Sequence, residues 1–369
     1  MIQKLEKENK TMSFENIVED WDNVKKRWEA WWNCELHDRV LINICAPKDN
    51  VPPADIPDVS IEAQWTDVDF MIRRTKEIVR TTWYGGEALP LFWHGWAVGP
   101  ALPFGCKPHF EEYTIWTDPA PVGEDGYPSF EGWQDNPWWD WLVKATEKVV
   151  RENQDEYFVM PCWGNHAGDT LGLMRDSQQF LMDVALDPDW VSKAINTLSD
   201  SMIEMFRQLW QIIDSGRKGI EGSLSYCECW SPGFTMALDC DMSCMMSPDT
   251  FKNVFLPPMI KTLHSLGVDH SIYHLDGEVA LHQLDTLLEV PEINAIQWVA
   301  GAGREDIMQW IPLIKKVQAK GKAIQLLEVK PEQIEPLLRE IRPEGVHIRT
   351  TGCATESQGR KLLERVAKL

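Results

Sequence analysis

The chain has 369 residues and sets 36 Lys+Arg against 57 Asp+Glu, a formal net charge of −21. Nucleic acid and anionic membrane are excluded as partners on that balance, because phosphate contacts need clustered cations and this surface repels polyanions. Hydrophobic residues at 44% and charged residues at 25% exclude disorder and leave an ordinary globular composition able to build a core.

The start is charged throughout and lacks the apolar centre of a secretory signal, so the expected location is cytoplasmic. Residues 1–39 read as a helical extension, since Ile17, Trp21, Val24, Trp28, Trp31 and Trp32 recur at three- and four-residue steps. Such a helix would cap the fold or form a homodimer contact. From there, short β-branched or aromatic runs each precede a helical stretch. They are Val40–Cys45, Leu89–Trp96, Phe158–Asn165, Ser223–Trp230, Ser271–Gly277, Ala295–Val299, Ala323–Glu328 and Gly345–Thr351.

Eight strand–helix repeats predict an α/β fold of the (β/α)8 TIM-barrel type, with 40–369 as one domain. A doubly wound open sheet is the alternative. It has no GxGxxG after a first strand and no Walker-type loop to support it. The segment Ala97–Trp141, rich in Pro, Gly and Trp, is too long for a plain connection and is predicted to be a lid inserted after the second strand. Helices are expected at Gln178–Leu186, Pro188–Ile213, Pro248–Leu266 with Ser247 as N-cap, Val279–Leu288, Glu305–Gln318, Pro331–Ile341 and Ser357–Ala367. No apolar run approaches the roughly 20 residues of a spanning helix, so no membrane is expected. Nine cysteines without framework spacing fit reduced thiols.

A parallel barrel builds its site at the C-terminal ends of its strands. That selects Cys45, His94, Trp96, Trp163, Asn165, His166, Cys227, Cys229, Trp230, His274, Asp276, Gln297, Glu328, Arg349, Thr351 and Cys353. Alternation points His274 and Asp276 to one side, and Cys227 and Cys229 likewise. A lone Cys-x-Cys is a weak metal signal, and these two are read as buried thiols. His94 and His166 are candidates for acid–base work beside His274 and Asp276, because an imidazole can take or give a proton near neutrality. Most of the nineteen tryptophans should be packing residues. Trp93, Trp96, Trp116 and Trp230 are candidates for an aromatic wall over a flat or methylated substrate, with Asn165, Gln297, Glu328 and Arg349 completing the pocket. Arg349 and Arg304 suffice for one carboxylate or phosphate.

The segments DTLGLMRDSQQFLMDVALDP, DMSCMMSPDTFKNVFLPPM and IYHLDGEVALHQLDTLLEVPEINAIQWVAGAG resemble the uroporphyrinogen decarboxylase superfamily, over approximately Phe158 to the C-terminus. That superfamily holds tetrapyrrole decarboxylases and zinc-dependent methyltransferases that move methyl groups between a corrinoid and a thiol. The resemblance implies a barrel and, on the methyltransferase branch, a strand-end His-x-Cys pair and a later Cys holding zinc. The matching positions are His274, Asp276 and Cys353, with a carboxylate in place of the middle thiolate. His, Asp and Cys all ligate zinc, and three ligands leave an open position, though a carboxylate makes a harder site. The implied partners are a small-molecule substrate and a protein-borne corrinoid.

The decarboxylase branch carries an Arg-Gln-Ala-Gly-Arg type motif on the first loop. Here that loop reads Cys45-Ala46-Pro47-Lys48-Asp49-Asn50, without the arginines that would grip many carboxylates. The leading expectation is therefore a methyltransferase. The alternatives are a metal-free decarboxylase or lyase using Asp276 and a histidine, and a noncatalytic barrel that binds a small molecule or corrinoid.

Overall fold

The computed structural model describes residues 14–160, 166–217 and 219–369. Within them, a helix Trp21–Trp32 precedes strand β1 (Leu41–Pro47), and β2 (Thr82–Gly86) returns antiparallel to it. Next come β3 (Leu91–Phe92), the hairpin β4 (Lys107–Phe110) and β5 (Ile115–Asp118), and β6 (Phe158–Val159). After a long helix Pro188–Gly216 follow β7 (Ser223–Leu224), β8 (Trp230–Ser231), β9 (Thr235–Leu238), β10 (His270–Asp276), β11 (Ala295–Val299), β12 (Ala323–Val329) and β13 (Val346–Thr350). The main sheet has seven strands in the order β2-β1-β13-β12-β11-β10-β9, and every pairing except β1–β2 is parallel. β3 and β6 form a separate parallel pair.

Strands buried on both faces read as near-continuous apolar runs, and the two faces here feed different clusters. Ile42, Ile44, Ile296, Ile324 and Ile348 pack outward against helix residues such as Ile314, Val317, Leu337 and Leu362. Leu41, Ala237, Ile272, Ala295 and Ala323 face the opposite way. They share a cluster with Phe92, Phe158 and Leu224 from the shorter strands, and with Trp28, Trp31 and Trp32. Three of those sheet positions are alanine, and small residues there leave the volume that three indoles fill. Trp32 also donates its indole N–H to the Trp230 carbonyl at 2.7 Å. The N-terminal helix is thus a plug against the sheet, among the described residues of the predicted extension.

Two strand predictions are corrected. The run Ser223–Trp230 is an antiparallel hairpin, β7 with β8. Its turn closes by Ser225 N–H to the Cys229 carbonyl (3.1 Å) and Glu228 N–H to the Ser225 carbonyl (2.8 Å), with Glu228 at φ 57°. The strand beside β10 is instead β9, where Thr235–Leu238 aligns with His270–Tyr273. β2 was not expected; it ends at Gly86, φ 66°, where a Cβ would lie 2.0 Å from the Ile42 carbonyl, so only glycine fits. Of the predicted third strand, residues 161–165 lie outside the described residues.

The segment 97–141 is ordered. Its 3-10 turn Gly99–Phe104 is buried, whereas Tyr113 and Trp116 on the β4–β5 hairpin are exposed. Asn136 accepts the N–H of Trp138 and so caps the helix Pro137–Glu152, with proline at its first position. Ser247 caps as expected, accepting the Thr250 N–H at 3.1 Å, but the helix beyond it passes through one π turn, Phe251–Phe255, before Leu256–Leu266. Among the described residues no helix is long and apolar enough to cross a membrane.

Candidate functional site

β9 and β10 lie side by side and parallel, with Leu238 level with Tyr273. Their C-terminal ends therefore carry Asp239 and Asp241 up to His274 and Asp276. Ligand atoms of Asp241, His274 and Asp276 all lie within 4.8 Å of one another. Among the described residues this is the cluster of His, Cys, Asp or Glu able to share a metal ion, and Cys353 is not in it. That corrects the expected trio. Gly352, at φ 90°, turns the chain out of β13, and Cys353 ends half-buried against the outward core.

The loop bearing Asp241 is fixed from below. Asp169, in the first turn of the helix Ala167–Arg175, accepts the backbone N–H groups of Asp241 (2.8 Å) and Met242 (3.0 Å). Asp239 accepts the Tyr226 hydroxyl at 2.8 Å through Oδ2, and its buried Oδ1 has no hydrogen-bond partner. Burial, and then the charges of Asp239 and Asp241, hold the Asp169 carboxyl well above the usual carboxylate range. Burial, and then Asp241, raise Asp239 in the same way against the opposing Tyr226 hydrogen bond. Asp241 is raised by burial and by Asp276, with His274 opposing. Four carboxyl groups in one place without a cation repel one another, so some retain protons near neutrality or a cation joins them.

These groups floor a cleft of about 510 Å³. Trp93, Ile115, Trp116 and Tyr226 wall it, Asp169, Asp239, Asp241 and His274 supply its polar side, and among the described residues no Lys or Arg lines it. Trp93 is 38% and Trp116 59% exposed, so both indoles reach the surface of the cleft. A second, smaller recess of about 270 Å³ lies at the ends of β11 and β12, bounded by Trp298, Gly301 and Glu328. Glu328 is exposed there at φ 55°.

The remaining candidates serve elsewhere. His94 is fully buried against Phe92 and Trp141 with neither ring nitrogen hydrogen-bonded, and burial pushes its pKa down to about 4. His166 caps the helix Ala167–Arg175, its Nδ1 accepting the Ala167 N–H at 3.2 Å, and burial lowers it to about 3. Neither lines the cleft. Trp96 is buried, stacked on Trp141 at 4.4 Å, and donates to the Trp65 carbonyl. Trp230 is buried beside Trp21 and donates to the Glu221 carbonyl. Arg349 pairs with Glu228 at 2.7 Å and Arg304 with Glu278 at 3.1 Å. Gln297 has its amide engaged with His274 and Gln325. Cys227 and Cys229 are buried thiols, raised well above the ordinary range by burial. Asn165 and Trp163 lie outside the described residues.

Asp169, Asp239, Asp241 and Tyr226 escaped the sequence reading. Placing the fourth strand at Ser223–Trp230 hid the Asp-x-Asp that follows TMAL, which otherwise reads as a strand-end pair. Asp169 carries no such local signal.

No family model and no curated protein matches the chain. Among solved structures, it is similar to a methyltransferase from Methanosarcina mazei, with a TM-score of 0.61 at 12% sequence identity over 94% of this chain and 98% of that one. At that identity the likeness is one of fold: a mixed α/β architecture with a parallel central sheet.

Proposed function

We propose that this chain is an enzyme that transfers a methyl group from a small methylated compound, neutral or cationic, held in the cleft of Trp93 and Trp116, to a thiol or a corrinoid carrier. The observation that carries the reading is the convergence of Asp241, His274 and Asp276 within 4.8 Å at that cleft. The methyltransferase of similar fold supports it. Closure of the sheet into a barrel beneath the site is part of the proposal, and its support is that Phe92 and Phe158 share the inner cluster with Leu41, Ala237 and Ile272.

A divalent metal fits the donor set. One imidazole and two carboxylates suit zinc and harder first-row ions, and a cation offsets the burial and the Asp276 charge that raise Asp241. Asp241, His274 and Asp276 would hold it. When bound, such an ion supplies Lewis acidity that lowers the pKa of a thiol or water. The chain's own residues do the rest: Trp116, exposed at the cleft, attracts a methylated cation with its π face, Asp169 orients the Asp241 loop, and Asp239 with Tyr226 holds a proton at the wall. A lining that carries Asp169, Asp239 and Asp241 and, among the described residues, no Lys or Arg disfavours a substrate with many carboxylates.

The test is metal analysis of protein purified without added zinc, followed by single-turnover transfer of labelled methyl from methylated amines or alcohols to a thiol or cobalamin. Stoichiometric metal and labelled product are expected. Metal-free protein whose melting ignores chelators would remove the metal centre, and absence of transfer from every donor would remove the activity.

The raised pKa values of Asp169 and Asp239, both in the cleft lining, favour one second reading, a metal-free decarboxylase in which a substrate C–CO2 bond breaks and one of these carboxyl groups delivers its proton to the carbanion. Carbon dioxide release by chelator-treated protein would favour it.

A further inference from the structure

Four side chains join the site to the N-terminal plug. His274, Gln297, Gln325 and His347 occupy one rung across β10, β11, β12 and β13, each in register with the next. They form an unbroken hydrogen-bonded row: His274 Nδ1 with Gln297 Oε1, Gln297 Nε2 with Gln325 Oε1, and Gln325 Nε2 with His347 Nδ1 at 3.0 Å. Gln297 is 3% exposed, and Gln325 and His347 are fully buried, so water does not compete for these groups.

The row has a direction, set outside it. Gln325 Nε2 also lies 2.8 Å from the backbone carbonyl of Cys227, in the β7–β8 hairpin turn. A carbonyl oxygen can only accept, so the Gln325 amide nitrogen must face that side, and its oxygen must face Gln297. Gln297 then donates through Nε2 and accepts through Oε1, and among the described residues the group placed to donate to that oxygen is the His274 Nδ1–H. At the far end His347 Nδ1 accepts, which requires a neutral ring, and burial holds its pKa well below the ordinary histidine value. Its proton then sits on Nε2, which has no hydrogen-bond partner; the His347 ring meets Trp28 and Trp31 edge-on, with ring centroids 4.9 and 5.8 Å apart.

We infer that Gln297, Gln325 and His347 are positioning residues that lock His274 as its Nδ1–H tautomer, leaving Nε2 unprotonated for a metal ion shared with Asp241 and Asp276. The two histidines at the ends of the row hold opposite tautomers. A ligating imidazole needs its second nitrogen fixed by a partner, and losing that partner commonly costs about 10–100-fold in metal affinity. The consequence for metal rests on the proposed centre; the tautomer does not.

The test is a long-range 1H–15N correlation spectrum at pH 8 of histidine-labelled protein, assigned with His274→Asn and His347→Asn. Wild type should show His274 protonated at Nδ1 and His347 at Nε2; His274 protonated at Nε2 overturns the inference outright, whatever any variant does. Gln297→Leu should move His274 toward the Nε2–H form preferred by free imidazole and weaken Zn2+ binding by about 10–100-fold. Gln297→Glu keeps an acceptor and should keep the tautomer. A folded Gln297→Leu with His274 unchanged also defeats it. Wild type that takes up no Zn2+ yet shows the opposed tautomers leaves the row standing and removes only the metal centre.

Discussion

His94 shows what burial without a partner does to a titrating side chain. It is fully enclosed, neither nitrogen is hydrogen-bonded, and burial alone lowers its pKa from 6.5 to about 4. The unfolded chain therefore takes up this proton first as pH falls. Above pH 6.5 both states are neutral and His94 adds no pH dependence. Between about 6.5 and about 4 the unfolded state gains protons that the folded state lacks, and stability declines by about 3 kcal/mol. Urea unfolding of wild type and His94→Leu across that range should give a stability difference that is flat above the window and grows in favour of the variant below it. A difference that stays constant would mean that the folded chain takes up the His94 proton at the same pH as the unfolded one. Residue identity alone put His94 and His166 among the acid–base candidates; the same imidazole is a reagent in a cleft and packing in a core, and sequence does not distinguish the two surroundings.

At the scale of the element, the N-terminal helix contributes most where its indoles meet the sheet. Trp28 is fully buried against Trp31 and His347, and Trp28→Ala leaves a large cavity beside the alanine-faced strands. Loss of about 3–5 kcal/mol is expected in denaturant unfolding; a loss under 1 kcal/mol would show the helix to be dispensable. The helix itself was legible, because its apolar positions recur at helical spacing. So were β10 to β13, whose apolar runs alternate with capped helices. The fourth strand was not legible in the same way. Ser223–Trp230 has the composition of a strand, but a left-handed Glu228 folds it into a hairpin, and a non-glycine residue gives little warning of that conformation. The predicted runs Leu89–Trp96 and Phe158–Asn165 do contain β3 and β6, which among the described residues pair over two residues each.

For the whole molecule, binding at the strand ends should couple to global stability. Zn2+ that binds only the folded state raises stability by about 2.7 kcal/mol at a hundredfold excess over its dissociation constant. Thermal melting should therefore rise with Zn2+ and fall back with chelator in wild type and in Cys353→Ala, since Cys353 lies outside the cluster. Asp241→Asn should lose the response. Retention in Asp241→Asn together with loss in Cys353→Ala would restore the thiolate trio suggested by the resemblance. The net charge of −21 makes a cation a more natural occupant than an anion for a cleft lined by carboxyl groups.

Local information was enough for a mixed α/β chain of repeating strands and helices, for the Trp-rich helical lead-in, and for His274 with Asp276 on one strand face, because hydrophobic period and side-chain alternation are written in neighbouring residues. The third member of the cluster was not, since Asp241 rather than Cys353 reaches His274 through the β9–β10 register, and a register between residues 35 apart is settled by packing. The fate of each aromatic and histidine was likewise a matter of what surrounds it: Trp116 faces the cleft and Trp96 the core, although both belong to the same tryptophan-rich region.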